Sequence, residues 1–287
     1  VANTRRALGQ SEGAEEPQER ALESRRRELS PEHELALESL ASRGHLRLGL
    51  GRFEEAEVDF REAAQGQRRG LGDEHLSTLG SINGLGVLLQ AREEFDEAEP
   101  YLRESLGSLR RVLGNQHPNT LDAINNLGAL LHAQGKLDEA EPYYRESLET
   151  RRQVLGKQHP ETLISINNMG GLLRTQGKVD ASEPYHREAL ETRRQVLGDF
   201  HPHTMASVWN LGGLLRKQVK LEEAEPYYRE ALDAYRRIFG DDHLDSLYAA
   251  RNLARLLNER SQHSESVEVL EGTLPIAEPT LGQGHQL

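Results

Sequence analysis

The chain has no cysteine, which excludes disulfides, thiolate catalysis and cysteine-based zinc sites and makes a reducing, cytoplasmic setting the expectation. Only 5% of its 287 residues are aromatic and 36% hydrophobic, thin for one large core but sufficient where each small unit covers only its neighbours. No apolar run approaches the roughly 18 residues that a membrane helix needs, and no secretory leader is visible, so no membrane partner is expected. Cations are outnumbered, 35 Lys and Arg against 47 Asp and Glu, and the net charge of -12 argues against a nucleic-acid partner, whose phosphates demand clustered Lys and Arg.

What the chain does have is repetition. The stretch from Thr120 to Gly156 returns every 42 residues with only its surface letters changed. Leu-Gly pairs close the copies at Leu71-Gly72, Leu113-Gly114, Leu155-Gly156, Leu197-Gly198 and Leu281-Gly282, with Phe239-Gly240 in step. A histidine follows at His75, His117, His159, His201, His243 and His285, and His33 extends the series backwards. A fixed period of this length means stacked supersecondary units.

Each unit reads as two helices. Leu121, Ile124, Leu127, Leu130 and Leu131 form one stripe, and Gly135 offers the left-handed residue that ends a helix, giving a first helix over about 119–134. The second starts near Leu137 and continues through Ala140, Tyr144 and Leu148 to Leu155-Gly156, with Pro142 close to its first turn. Glu97, Glu99, Glu139 and Glu141 at second-helix starts and Arg110, Arg111, Arg151 and Arg152 near their ends match the macrodipole, the reading of a solvated face, with partner docking as the alternative. Gly44, Gly86, Gly128, Gly170 and Gly212 recur at one first-helix position despite costing roughly 1 kcal/mol each, so a larger side chain there would strike a neighbouring helix. In the fifth unit Val219 replaces the turn glycine, and a β-branched residue resists the left-handed conformation, so a turn of different shape is expected there.

Leu127-Gly128, Ala140 and Tyr144 match the skeleton of the tetratricopeptide repeat, and the 42-residue period with NNLG, QGK, EAEPYY and LGKQHP resembles the repeats of kinesin light chains. Nephrocystin-like proteins carry similar arrays. The resemblance implies an all-α fold, a right-handed superhelical solenoid of antiparallel helix pairs, with the first helices lining a concave ligand groove. It also implies a kinesin heavy chain as a further partner, through regions outside this segment.

Three segments follow from the register. Residues 1–28 read as a partial repeat truncated at its start, 29–273 as six tetratricopeptide-like repeats, and 274–287 as a tail resembling the start of another. The repeat over 35–69 is divergent, and the sixth, about 245–272, should have a short second helix because Gly272 and Pro275 interrupt it.

No motif for catalysis or cofactor binding survives inspection. The histidines fall one per unit, and successive units advance by on the order of 10 Å, whereas zinc ligands share an ion at about 2 Å. They read as structural residues of the loop before each first helix, and no metal is expected. His33-Glu34 lacks a second ligand at Leu37, and Gly128 to Lys136 has Leu137 where a phosphate loop needs Ser or Thr. No cofactor and no enzymatic activity are expected.

What remains is the inner face of the first helices. Asn83, Asn125 and Asn167 form one amide row, and Asn126, Asn168, Asn210 and Asn252 the next. Such amides can hold an extended peptide backbone, or they can bond to neighbouring helices. At the late end the inward positions hold Arg174, Arg216, Lys217, Arg251 and Arg255 beside Trp209 and Tyr248, and at the early end Glu38, Gln90 and Asp122. Arg beside aromatic rings suits an acidic segment with an apolar anchor. Kinesin light chains, as the resemblance implies, read tryptophan-plus-acidic motifs in such a groove. Trp209 is a ligand contact or a packing residue between units. The expected function is a non-catalytic adaptor for a protein or peptide partner with an acidic segment. The alternatives are a regulatory segment of a signalling ATPase and an architectural spacer.

Overall fold

The computed structural model describes residues 17–272, which are helical throughout apart from short connections. The chain divides into two compact units, residues 1–154 and 155–287. The first holds α1 (17–28), α2 (Glu34–Gly49), α3 (Phe53–Leu71), α4 (Leu76–Ala91), α5 (Phe95–Leu113), α6 (Pro118–Ala133) and α7 (Leu137–Val154). The second holds α8 (Pro160–Thr175), α9 (Val179–Leu197), α10 (Pro202–Lys217), α11 (Leu221–Phe239), α12 (Leu244–Glu259) and the short α13 (His263–Glu271). Within each unit every helix packs on the next, and in the first unit α4 also touches α2 and α6. The expected leftover helix is present over 17–28; the rest of the partial repeat, Leu281-Gly282, His285 and the 274–287 tail lie outside the described residues.

The close approach of paired helices rests on the recurrent glycine. A Cβ on Gly86 would stand 2.6 Å from Leu102, and one on Gly128 3.0 Å from Tyr144. The large side chain sixteen residues on fills the space that the glycine vacates. The small residue of the second helix is equally buried, at Ala98 and Ala140. Where serine replaces it, the hydroxyl donates to the facing helix, Ser182 Oγ to Gly170 O and Ser266 Oγ to Ala254 O, both at 2.9 Å.

The linkers are built from three recurrent residues, a glycine, a histidine and a threonine. The glycine that follows the longer second helices sits at φ 78 ψ 173 for Gly114 and φ 94 ψ 168 for Gly72, a region that strongly favours glycine, and Ser30 at the equivalent place after α1 also takes a positive φ, 114. Each described histidine of the series is an N-cap: Nδ1 of His117 accepts from the Asn119 backbone N–H at 3.2 Å, and His33, His75, His159, His201 and His243 do the same. Thr162 and Thr204 then donate back to the Gly156 and Gly198 carbonyls at 2.8 Å.

Two expectations need correction. Val219 has φ 63 against 76 for Gly135 and 77 for Gly177, and its N–H donates to Arg216 O as that of Gly135 does to His132 O. The turn therefore keeps its shape, and Glu93 and Ser261 take it as well, each at φ 63. This is the ordinary left-handed well, reachable by any residue at a cost, unlike the conformation of Gly114. The helix prolines Pro100, Pro142, Pro184 and Pro226 lie inside the second turn, not the first, so each removes one helical hydrogen bond.

Consecutive repeats are also matched across a 14-residue offset. Arg25 donates to Ser39 Oγ, the Gln67 amide meets Ser81 Oγ at 2.7 Å, and Arg193 donates to Ser207 Oγ at 2.6 Å. Where the second helix carries apolar Leu109 or Tyr235, the residue 14 later is buried Ala123 or Ala249.

Two stability changes are expected in urea unfolding. Val219→Gly, at a side chain 76% exposed, raises the midpoint, with a gain of about 0.5–1 kcal/mol from relief of the left-handed strain. His117→Ala lowers it by about 1 kcal/mol, and His117→Asn, which keeps an acceptor for the capped N–H, recovers most of that loss.

Candidate functional site

In the first unit the expected face carries Asn83 on α4 and Asn125 and Asn126 on α6, all half-buried. Asn126 Nδ2 donates to Asn83 Oδ1 at 3.4 Å, so these amides bind each other across adjacent first helices. In the second unit Asn167 Nδ2 donates to Leu163 O at 2.8 Å and Asn252 Nδ2 to Tyr248 O at 2.7 Å, each within its own helix. Asn168 is half-buried on α8 and Asn210 exposed on α10. The amide rows thus spend several donors inside the protein, and the alternative of structural bonding is realised in part.

The cationic cluster belongs to the second unit alone. Arg174, Lys217, Arg251 and Arg255 are exposed and Arg216 half-buried. Arg251 lies over the ring of Tyr248, 5.1 Å from its centroid, and Tyr248 is itself 50% exposed. Arg216 grips Glu259 with two bonds of 2.8 and 2.9 Å, and Arg255 reaches the same carboxylate at 3.4 Å. The structure brings Arg251, Arg255 and Glu259 together around an open cavity whose wall includes Ala254, Asn258 and Leu270. Trp209 is half-buried, edge-on to Tyr228 with centroids 5.5 Å apart, and packs on the core of its unit. Most of its indole is thus structural.

Glu259 is the site residue that the sequence reading missed. It stands 43 residues after Arg216 and 42 after Lys217, so a search for opposite charges one repeat apart along a single face would have found it. Asp122 at the acidic end is likewise engaged, accepting from the buried Arg151.

The charges of the second helices are not simply solvated. Glu99 accepts from Lys136 at 2.9 Å, Gln134 at 3.1 Å and Arg103 at 2.8 Å, and Arg103 continues to the Tyr143 hydroxyl at 3.4 Å. The Lys136 bond is the chief cause of holding its carboxyl down at about 2, and Lys220 does the same for Glu183, also at about 2. Glu97, by contrast, is exposed, as a dipole-matching charge should be. Among the described residues no three His, Asp or Glu side chains converge on a point where a metal could sit.

Below the face lies His186, in the place that Tyr144 and Tyr228 occupy in neighbouring repeats. It is 6% exposed, and its Nε2 has no hydrogen-bond partner among the described residues. Burial, helped by the charge of Arg174, pushes its pKa down to about 4.

A tetratricopeptide repeat family model matches residues 39–111, 77–153, 120–195, 161–236 and 204–278, and a second tetratricopeptide repeat model matches 1–35. Comparison with curated proteins finds no match. Among solved structures, a Podosopora anserina protein assigned as a kinesin light chain with nearly identical TPR-like repeats is 22% identical with a TM-score of 0.66, covering 74% of this chain and 100% of its own. BtubC (BKLC) from P. vanneervenii is 19% identical with a TM-score of 0.67, over 82% of this chain and 94% of its own. The apo quorum sensor NprR from B. thuringiensis is 15% identical with a TM-score of 0.63, over 96% and 85%. At these identities the likeness is one of fold.

His186 gives this region an acid sensitivity. The unfolded chain takes up a proton near pH 6.5 that the folded ring refuses until about 4, so stability falls as pH drops through that window. Denaturation midpoints measured from pH 7 to 4.5 should show His186→Tyr removing on the order of 2 kcal/mol of that decline.

Proposed function

Because the chain belongs to the tetratricopeptide repeat family, whose repeats commonly serve as protein-interaction scaffolds, we propose that it is a non-catalytic adaptor binding an extended acidic segment of a protein partner along the first helices of its later repeats. The observation that carries this reading is the concentration of Arg174, Arg216, Lys217, Arg251 and Arg255 on α8, α10 and α12, with Tyr248 exposed among them. Arg174, Arg216 and Lys217 stand in the last turns of their helices, but helix-end compensation does not account for Arg251 and Arg255, which stand before the last turn of α12. Among the described residues Arg174, Lys217 and Arg251 have no salt-bridge partner, in a chain where most other Arg side chains do. Guanidinium groups beside an accessible ring suit a carboxylate followed by an apolar side chain, and each charge-assisted bond contributes about 1.5–3 kcal/mol when shielded from water.

The amides take a secondary part in this proposal. Asn167 and Asn252 keep free carbonyl oxygens while donating to their own helices, so they can accept from a peptide N–H but no longer bracket it. Asn83, Asn125 and Asn126 would form a contact of their own within the first unit, and Asn168 and Asn210 would add to the one in the second. A kinesin heavy chain, engaged through regions outside this segment, belongs to the same proposal and rests on the likeness to kinesin light chains; a cytoplasmic setting belongs to it too and rests on the absence of cysteine. No helix among the described residues is long and apolar enough to cross a membrane.

Fluorescence anisotropy with a labelled oligoglutamate peptide tests the assignment. Arg216→Glu with Arg251→Glu should weaken binding by about tenfold or more, and raising salt should weaken the parent's binding as the exposed charges are screened over about 8–10 Å. Equal affinity for the double variant and the parent would remove the groove from these helices.

A further inference from the structure

The Arg216 guanidinium does not stand open to solvent. Its Nε and a terminal nitrogen donate to the two carboxylate oxygens of Glu259 at 2.8 and 2.9 Å, a fork-on-fork pair joining α10 to α12. The pair is only partly shielded, with 23% of the Arg216 side chain and 35% of Glu259 accessible. The Tyr228 hydroxyl, after Glu259, also favours the charged form of the Arg216 guanidinium. A guanidinium fork in this geometry takes a carboxylate from any source. Here it already holds one that the chain supplies.

On the acidic-segment reading above, we propose that Glu259 is an internal competitor for the partner: its carboxylate occupies the seat on Arg216 that an acidic side chain would take, and binding proceeds by exchange of one for the other. The displaced carboxylate is not stranded, because Arg255 lies one turn earlier on the same helix, 3.4 Å from it. The exchange makes as many charge-assisted bonds at Arg216 as it breaks, so a lone carboxylate gains almost nothing there. A segment with several acidic residues also engages Lys217 and Arg251, which have no carboxylate to release, and so outcompetes Glu259. The device sets a threshold on charge density, rejecting the isolated Asp and Glu side chains on ordinary protein surfaces.

Anisotropy titrations with labelled oligoglutamate, and with oligoglutamine as the uncharged probe, test this on the parent, Glu259→Gln, Glu222→Gln, Arg216→Gln and the Arg216→Gln/Glu259→Gln double variant. Glu222, 89% exposed at the start of α11, controls for the loss of one negative charge elsewhere in the unit. Glu259→Gln should bind oligoglutamate about three- to tenfold tighter than the parent, the scale of an exposed bidentate pair, while Glu222→Gln changes little. The gain should vanish when residue 216 is Gln. Equal gains in the two single Glu variants, or a gain that persists without Arg216, overturn the competitor and leave the groove reading standing. If oligoglutamate binds neither the parent nor Glu259→Gln, both fall together. In the parent itself, the Arg216 Nε–H resonance should shift on saturation with oligoglutamate; an unmoved resonance in a saturated complex also overturns the exchange.

Discussion

Paired helices of this chain come close where one of them gives up its side chain, or keeps only the methyl group of Ala254. Gly86 under Leu102 and Gly128 under Tyr144 are the points of contact, and they fix the height at which the second helix lies along the first. Every other recurrent pairing follows from that registration. The 14-residue match of Arg193 with Ser207 and the 36-residue ion pair of Arg110 with Glu146 are distances along the chain that become short in space only because the glycine contact repeats without slippage. With just 36% hydrophobic residues, the array has no central core to absorb a misplaced repeat. Small residues at fixed intervals take over the part that bulk hydrophobicity plays in an ordinary domain.

Much of this was legible because periodicity is a strong signal. The glycine row, the helix boundaries and the structural place of the histidines could be read from spacing alone, since each repeats often enough to separate rule from accident. The misreadings share a cause: they concern single conformations or single partners. Glycine stands both at Gly114 and at Gly135, but the first backbone lies in a region that strongly favours glycine and the second in the ordinary left-handed well. Sequence shows the same letter for both, and only the substitutions Glu93, Val219 and Ser261 hint at the difference. The charges illustrate the other half. Glu99 looked solvated because its partners Gln134 and Lys136 belong to the next repeat, where helix-dipole reasoning does not look. The cationic face was visible as composition, whereas the pairing of Arg216 with Glu259 was not, because it is one residue longer than the repeat.

The two faces of the helix pairs treat charge differently, which bears on function. On the second helices, carboxylates such as Glu183 are gripped from two repeats at once and left with little capacity for anything else. On the first helices of the later repeats, cations outnumber carboxylates, and one of those carboxylates, Glu259, is held by Arg216. An overall charge of -12 therefore coexists with a local excess of cations on those helices.

The pairing of a second-helix residue with the first helix that follows it has a consequence for how such arrays grow. Arg193 needs Ser207, and Tyr235 sits where the counterpart is Ala249, so the matched partners straddle the linker and never share a hairpin. Duplication or deletion with breakpoints in these linkers would join a guanidinium to a methyl group, or a phenol to a hydroxyl. Breakpoints at the Gly135-type turn would carry the matched partners along together. A segment that could be duplicated without breaking these matches is thus offset by half a repeat from the hairpin that the eye picks out.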